Sequence, residues 1–198
     1  MKNFNKIVGE IKKQANVDLS NGAVTRSYMG DRAYMIEILN QALATEIVCV
    51  LRYKAHFESA KGIHSAGVVE EFLEHAKQEQ AHVDLISKRI SQLGGTPNFD
   101  PKGLSERSHT SYSVGKTLHE LLKEDLIAER IVIGVYQEMI RMIQNDDPTT
   151  RIMIEGILKD EEDHADDIST LLFKVREEVN QNIKYEQTDK PSSYLHLQ

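Results

Sequence analysis

A single cysteine, Cys49, stands in 198 residues, which excludes an internal disulfide framework and any four-thiolate zinc or rubredoxin-type iron site within one chain. Proline and glycine are scarce as well, at 4 and 11 residues, too few for a sheet-and-turn architecture. Helix is favoured before any pattern is read. No apolar run approaches the roughly 18 residues of a membrane span. The N-terminal MKNFNKIVGEIKKQ carries charges where a secretory signal needs its apolar stretch, so a cytoplasmic protein without a membrane partner is expected. Basic residues are outnumbered: Lys+Arg 24 against Asp+Glu 31 gives a net charge of -7. That balance argues against wholesale nucleic-acid binding and suits a protein that draws cations toward a site or cavity.

Hydrophobic periodicity predicts four long helices. From Arg32 to about Lys61, Met35, Ile38, Leu39, Ala42, Ile47, Val50 and Leu51 recur at helical spacing, with Gly62 placed to end the helix. A second helix over about Ser65 to Leu93 carries Val68, Val69, Phe72, Ala76, Val83, Ile86 and Ile90 and stops at Gly94-Gly95. Residues 94–112 gather glycine and proline and read as a long connection. A third helix follows over about 113–144. Asp147-Pro148 then offers an N-cap and a first-position proline for a fourth helix running to about Val179. The order short, long, short among the connections implies an all-α antiparallel four-helix bundle with one crossover along its length. Phe4, Ile7, Val8 and Ile11 sit at i, i+3, i+4 and i+7, which predicts an extra short amphipathic helix at the N-terminus. The expected layout is an N-terminal extension over 1–30, the bundle over 31–180, and a polar, loosely ordered tail over 181–198 containing Pro191.

Glutamate and histidine carry the chemistry. Three Glu-x-x-His pairs occur, Glu79-His82, Glu106-His109 and Glu161-His164, where about one is expected from composition alone. The middle pair falls in the predicted loop and is taken as the chance match. In the other two, a spacing of three puts both side chains on one helix face, one turn apart. Glu46 interrupts the apolar stripe of ALATEIVCVLRY on the first helix, and Glu129 interrupts DLIAERIVIGVY on the third. Tyr53 lies seven residues after Glu46, and Tyr136 seven after Glu129. From lone Glu to Glu-x-x-His the spacing is 79-46=33 in one half and 161-129=32 in the other, so the chain reads as two copies of one helical hairpin. Four Glu and two His converging in a core would repel or have to take up protons, and two divalent cations remove that problem. A carboxylate-rich set with one imidazole per metal suits iron or manganese better than zinc. One Glu from each of two helices, with Glu-x-x-His from each of the other two, is the arrangement of ferritin-like di-metal proteins.

At these residues the sequence resembles a known family. DLIAE (125–129), ILKDEEDH (157–164), Glu46, Tyr53 and EQAH (79–82) look like bacterioferritin and its ferritin-like relatives, Dps-like ferritins included, over about residues 32–175. The resemblance implies a di-iron ferroxidase centre with Glu46 and Glu129 as terminal ligands, Glu79 and Glu161 bridging, and His82 and His164 capping one metal each. It makes Tyr53 and Asp125 the groups that orient those ligands. It further implies Fe(II) as substrate, O2 or H2O2 as oxidant, and self-association into a hollow shell of 12 or 24 subunits. Gln80 stands where the haem-ligating methionine of bacterioferritins follows the helix glutamate, so haem is not expected.

Three further readings compete. A Dps-like protective ferritin would consume peroxide and associate with DNA. A rubrerythrin-like di-iron peroxidase would need a rubredoxin relay that one cysteine does not supply. A plain binding or scaffold protein would bind no metal. Lys2, Lys6, Lys12 and Lys13 beside Glu10 form a basic N-terminal face, expected to dock against the bundle in preference to DNA. Tyr136 is either a core aromatic or a hydroxyl partner for the site. Cys49 is expected to be a small buried hydrophobe, and His56, His75 and His119 to be structural or exposed. Glu162, Asp163, Asp166 and Asp167 are expected to form the solvated face of the last helix.

Overall fold

The computed structural model describes residues 3–60 and 66–188. Lys2, the segment from Lys61 to Ser65 with Gly62, and the tail from 189 with Pro191 lie outside the described residues. Helices α1 (Phe4–Gln14), α2 (Arg32–Ala60), α3 (Ala66–Gln92), α4 (Leu104–Arg107), α5 (Leu118–Ile143) and α6 (Pro148–Thr188) account for most of them, and no strand occurs among them. The architecture is an all-α antiparallel bundle of α2, α3, α5 and α6, with α2 packed on α3 and α5 on α6 as two hairpins.

Local chemistry fixes the ends. At the end of α3, Gly94 takes φ +79, its N–H reaches Ser91 O, and Gly95 N–H reaches Ile90 O, the paired bonds of a left-handed helix stop. A side chain at Gly95 would strike Ile36, so the second glycine is required by packing. The third long helix starts at Leu118, later than the expected 113, because Thr117 and Glu120 form a reciprocal capping box there. At α6, Asp147 Oδ1 accepts from Thr150 N at 2.9 Å with Pro148 in the first turn. That helix runs on to Thr188, past the expected end near Val179, since nothing between 180 and 188 breaks a helix.

The connection from Leu93 to Thr117 climbs along α2. Asn98 N donates to Asn40 Oδ1, His109 N to Thr45 Oγ1, and Ser113 O faces His56 Nε2, so three rungs spread over 16 residues of α2 hold it, a rise of about 24 Å. Its cover explains why α2 is buried almost all round between Ala42 and Val50. One consequence departs from the apolar-run reading: Arg32–Ala60 is long and apolar enough to cross a membrane by length and composition. Its buried residues include Glu46, Arg52 and His56, all turned into the bundle, as in a core helix.

The core divides into two apolar clusters. One holds Leu39, Leu43, Ile86, Ile90, Met139 and Ile154, the other Phe72, Ala76, Leu121, Leu122 and Ile168. Each fully buried aliphatic contributes about 1.5–3 kcal/mol. The end of the bundle near the α5–α6 turn is pinned by a polar knot in which Arg89 Nη2 pairs with Asp147 at 2.8 and 2.9 Å and Tyr28 donates to Asp147 Oδ2 at 3.0 Å. Burial alone would raise the Asp147 carboxyl, yet its bonds from Thr150 and Arg89 hold it below the usual range. Asp147→Ala removes the helix cap and leaves Arg89 nearly buried without its partner, an expected loss of about 3 kcal/mol in denaturant unfolding. A change within error would show that the knot carries no weight.

The N-terminal helix corrects an expectation. Docking against the bundle was anticipated, but α1 packs against no other helix among the described residues, and Phe4 and Ile11 are exposed. Among the described residues its amphipathic face meets no other helix.

Candidate metal centre

Between the two apolar clusters lies a band of buried polar side chains. Glu46 of α2, Glu79 and His82 of α3, Glu129 of α5, and Glu161 and His164 of α6 meet there, each at most 2% exposed. The helical spacing of three turns both residues of each Glu-x-x-His inward, and the two hairpins supply matching halves. Donor atoms fall into two groups, Glu46, Glu79, His82 and Glu161 in one, Glu79, Glu129, Glu161 and His164 in the other, with the members of each within 4.8 Å of one another. Glu79 and Glu161 belong to both.

Both imidazoles point Nδ1 inward. His82 Nδ1 lies 3.3 Å from Glu46 Oε2, 3.5 Å from Glu79 and 3.1 Å from Glu161 Oε1; His164 Nδ1 lies 3.2 Å from Glu161 Oε2 and 3.4 Å from Glu79. Their outer Nε2 atoms are held by half-open groups of the facing helix: His82 by Asp160 at 3.3 Å, His164 by Gln78 Oε1 at 2.6 Å. A histidine that ligates through one nitrogen and donates the other N–H to a carbonyl or carboxylate is the common arrangement of metal ligands. Neither Asp160 nor Gln78 stood out in the sequence, because their partners are 78 and 86 residues away.

The tyrosines cross between the halves. Tyr53 of α2 donates to Glu129 of α5, and Tyr136 of α5 donates to Glu46 of α2, each serving the glutamate of the other repeat. Tyr136 is therefore both a core ring and a hydroxyl partner. Asp125 makes no hydrogen bond or ion pair with any of the six among the described residues. It accepts from Arg52 Nε at 2.8 Å and faces His56 Nδ1 at 2.7 Å, and reaches Glu129 only through Arg52, whose Nη2 is 4.0 Å away. Arg52, wholly buried, is the largest residue that sequence reading passed over, and His56 is its neighbour through Asp125. Cys49 accepts from Arg52 Nη2 at 3.4 Å, and burial raises its thiol well above the usual range despite that cation. It is buried, as a small hydrophobe would be. His119 and Gln80 are exposed, and Gln80 donates to Asp84.

Charge decides what this centre needs. Burial, then Glu161 and Glu79, raise the Glu46 and Glu129 carboxyls far above the ordinary value. Burial alone would raise Glu79 too, yet the neighbouring Glu46, His164 and His82 side chains hold it low. Burial opposes a charge on His164, but Glu161 and Glu79 lift it to about 9, and the same acids with Glu46 raise His82. Both oxygens of Glu79, Glu129 Oε2 and Glu161 Oε1 still lack a hydrogen bond. The donor set fits two divalent cations: four carboxylates and two doubly charged ions sum to zero, with Arg52 and Asp125 neutral as a pair beside them. The pH dependence follows. In the metal-free protein the contribution of His164 is complete below its ordinary 6.5 and lost as pH rises through about 9. Metal ligation has the opposite sign, since the ligands must shed protons. The gap in Tm between Co(II)-loaded and chelator-treated protein should therefore widen by several degrees from pH 6.5 to 9 in a thermal melt. A constant or shrinking gap would contradict these assignments.

An antiparallel bundle with paired carboxylate–histidine groups at its centre has the architecture of the di-metal carboxylate proteins. More particularly, the chain belongs to the ferritin-like family, whose ferritin-like domain matches residues 36–177. The bacterioferritin of Mycobacterium leprae (strain TN) is 29% identical over 139 residues, 70% of this chain and 83% of that one. A dodecameric thioferritin, the bacterioferritin-related protein of Bacteroides fragilis, superposes with a TM-score of 0.73 at 31% identity, covering 77% of this chain and 92% of that one. The bacterioferritin of Rhodobacter capsulatus, solved with a metal-free dinuclear site and haem iron, superposes with a TM-score of 0.67 at 28% identity, covering 75% and 88%.

Proposed function

We propose that this protein is a ferroxidase that takes up Fe(II) at Glu46, Glu79, His82, Glu129, Glu161 and His164 and passes Fe(III) to storage inside a homo-oligomeric shell. The observation that carries this reading is the sharing of Glu79 and Glu161 between two donor groups, each completed by one further glutamate and one histidine. Glu79 and Glu161 would be shared by the two ions, Glu46 and Glu129 would each hold one of them, and His82 and His164 would each complete one position through Nδ1. Tyr53 and Tyr136 hold the terminal carboxylates in place, and Asp160 and Gln78 set the tilt of the imidazoles. Two Fe(II) give up two electrons, enough to reduce one H2O2, with uptake of two protons, to two waters, or one O2, with uptake of two protons, to one H2O2. The centre takes iron in preference to zinc for its oxygen-rich donors, with manganese the nearest competitor. No haem is assigned to Gln80.

The likeness to the dodecameric Bacteroides fragilis protein supports a twelve-subunit, Dps-like shell over a 24-subunit one. Aerobic addition of Fe(II) to the purified protein should give ferric absorbance well above the rate in buffer, and light scattering should give a mass near 12 subunits. A buffer-like rate would end the ferroxidase reading. A small oligomer would leave no shell for storage.

A further inference from the structure

A third group of donors lies beside the six-residue cluster and is distinct from it. On α3, Glu71, His75 and Glu79 follow at intervals of four, so they leave the helix in one row. Asp167 joins them from α6, three residues beyond His164. His75 Nε2 is 3.3 Å from Glu71 Oε1 and 4.0 Å from Asp167 Oδ2, and one donor atom from each of the three residues falls within 4.8 Å of the others. A first-row divalent ion with bonds of ~2.1 Å keeps adjacent donors ~3.0–3.4 Å apart and opposite ones ~4.2 Å apart. The 3.3 Å separation matches adjacent donors, and the 4.0 Å one is close to the spacing of opposite donors.

The surroundings are built on one side and open on the other. His75 is 1% exposed, its ring stacked on that of His164 at 4.1 Å and met by the edge of Tyr53 at 5.2 Å. Packing therefore fixes the imidazole, and its Nδ1 is buried without a partner. Glu71 is half-buried and Asp167 exposed, so solvent reaches the group from the acid side. Two carboxylates converge on this ring, and no lysine or arginine pairs with either among the described residues. A rigid imidazole with two movable carboxylates and open positions for water is a mixed nitrogen–oxygen set for a first-row divalent ion.

We infer that Glu71, His75 and Asp167 form a third divalent-metal site in each subunit, an outer position where an ion is held one helical turn from the central pair. The stacked rings of His75 and His164 join the two places, with His75 facing the outer ion and His164 the inner ones. The outer site stands on its own residues and survives if the central reading fails.

Anaerobic Co(II) titration of the full chain, with bound metal counted by equilibrium dialysis, tests it. The double variant Glu71→Gln/Asp167→Asn changes only groups near the surface, so the fold is kept and circular dichroism checks that it is. Wild type should bind three Co(II) per subunit and the double variant two. A loss of one ion supports the outer site whatever the starting number, while equal counts in the two proteins overturn it. Glu129→Ala is the separate control for the central pair: if it alone leaves the count unchanged, the central reading fails and the outer one stands.

Discussion

Glu161→Ala is expected to slow aerobic Fe(II) oxidation about 100-fold or more, while Glu162→Ala, its neighbour in the same acidic run, leaves the rate unchanged. The magnitude follows from position. Loss of a group that only orients a ligand costs about 10–100-fold in affinity or activity, and Glu161 belongs to both donor groups. Without it the two halves no longer share an oxygen donor on the α6 side, and both ions lose a carboxylate at once. Glu162 faces solvent. The metal-free Glu161→Ala protein should stay folded with a melt near that of wild type, because relief of repulsion among the crowded carboxylates offsets the lost contacts with His82 and His164. Slow oxidation with an intact melt therefore reads out metal chemistry and not misfolding. Equal rates for the two variants in a stopped-flow assay of ferric absorbance would remove Glu161 from the site.

The largest effect on stability is expected at Asp125. Asp125→Ala strands Arg52, which is wholly buried, keeps Cys49, the face of the Tyr53 ring and a 4.0 Å approach to Glu129, and already has Nη1 without a partner. Removing one member of a buried ion pair costs about 3–5 kcal/mol, since the surviving charge stays desolvated. Asp125→Leu/Arg52→Met removes both charges at similar volume and should recover most of the loss. The two variants together separate a charge effect from simple loss of packing. If the double variant unfolds in urea as early as Asp125→Ala, the pairing argument is wrong and His56, the other partner of Asp125, is the group that matters.

Much of the bundle was legible because helices announce themselves locally. Periodicity, Gly94-Gly95 and Asp147-Pro148 act over a few residues, and the structure uses them as helix, stop and cap. The late start of α5 was hidden because Ser113 to Lys116 carry no breaker strong enough to exclude a helix. The capping pair Thr117 and Glu120 outweighed them, and it could have been found by its spacing of three. The length of the last helix is hidden for the opposite reason: the polar composition past Val179 resembles loose chain, although Gln, Asn, Lys and Glu extend a helix already nucleated.

The sequence by itself determined which glutamates and histidines share a helix face, because 3.6 residues per turn ties that to spacing alone, and repetition of the pattern at 33 and 32 residues marked two equivalent halves. Only the tertiary structure decided which groups meet across helices. It sends each tyrosine to the glutamate of the opposite repeat, seats Arg52 against Asp125 across 73 residues of chain, gives Gln78 and Asp160 to the histidines, and brings Asp167 to His75. The reason is physical: a helix fixes the direction of its side chains, but the distance between two helices and their relative rotation are set by packing of the whole bundle, which no local spacing encodes.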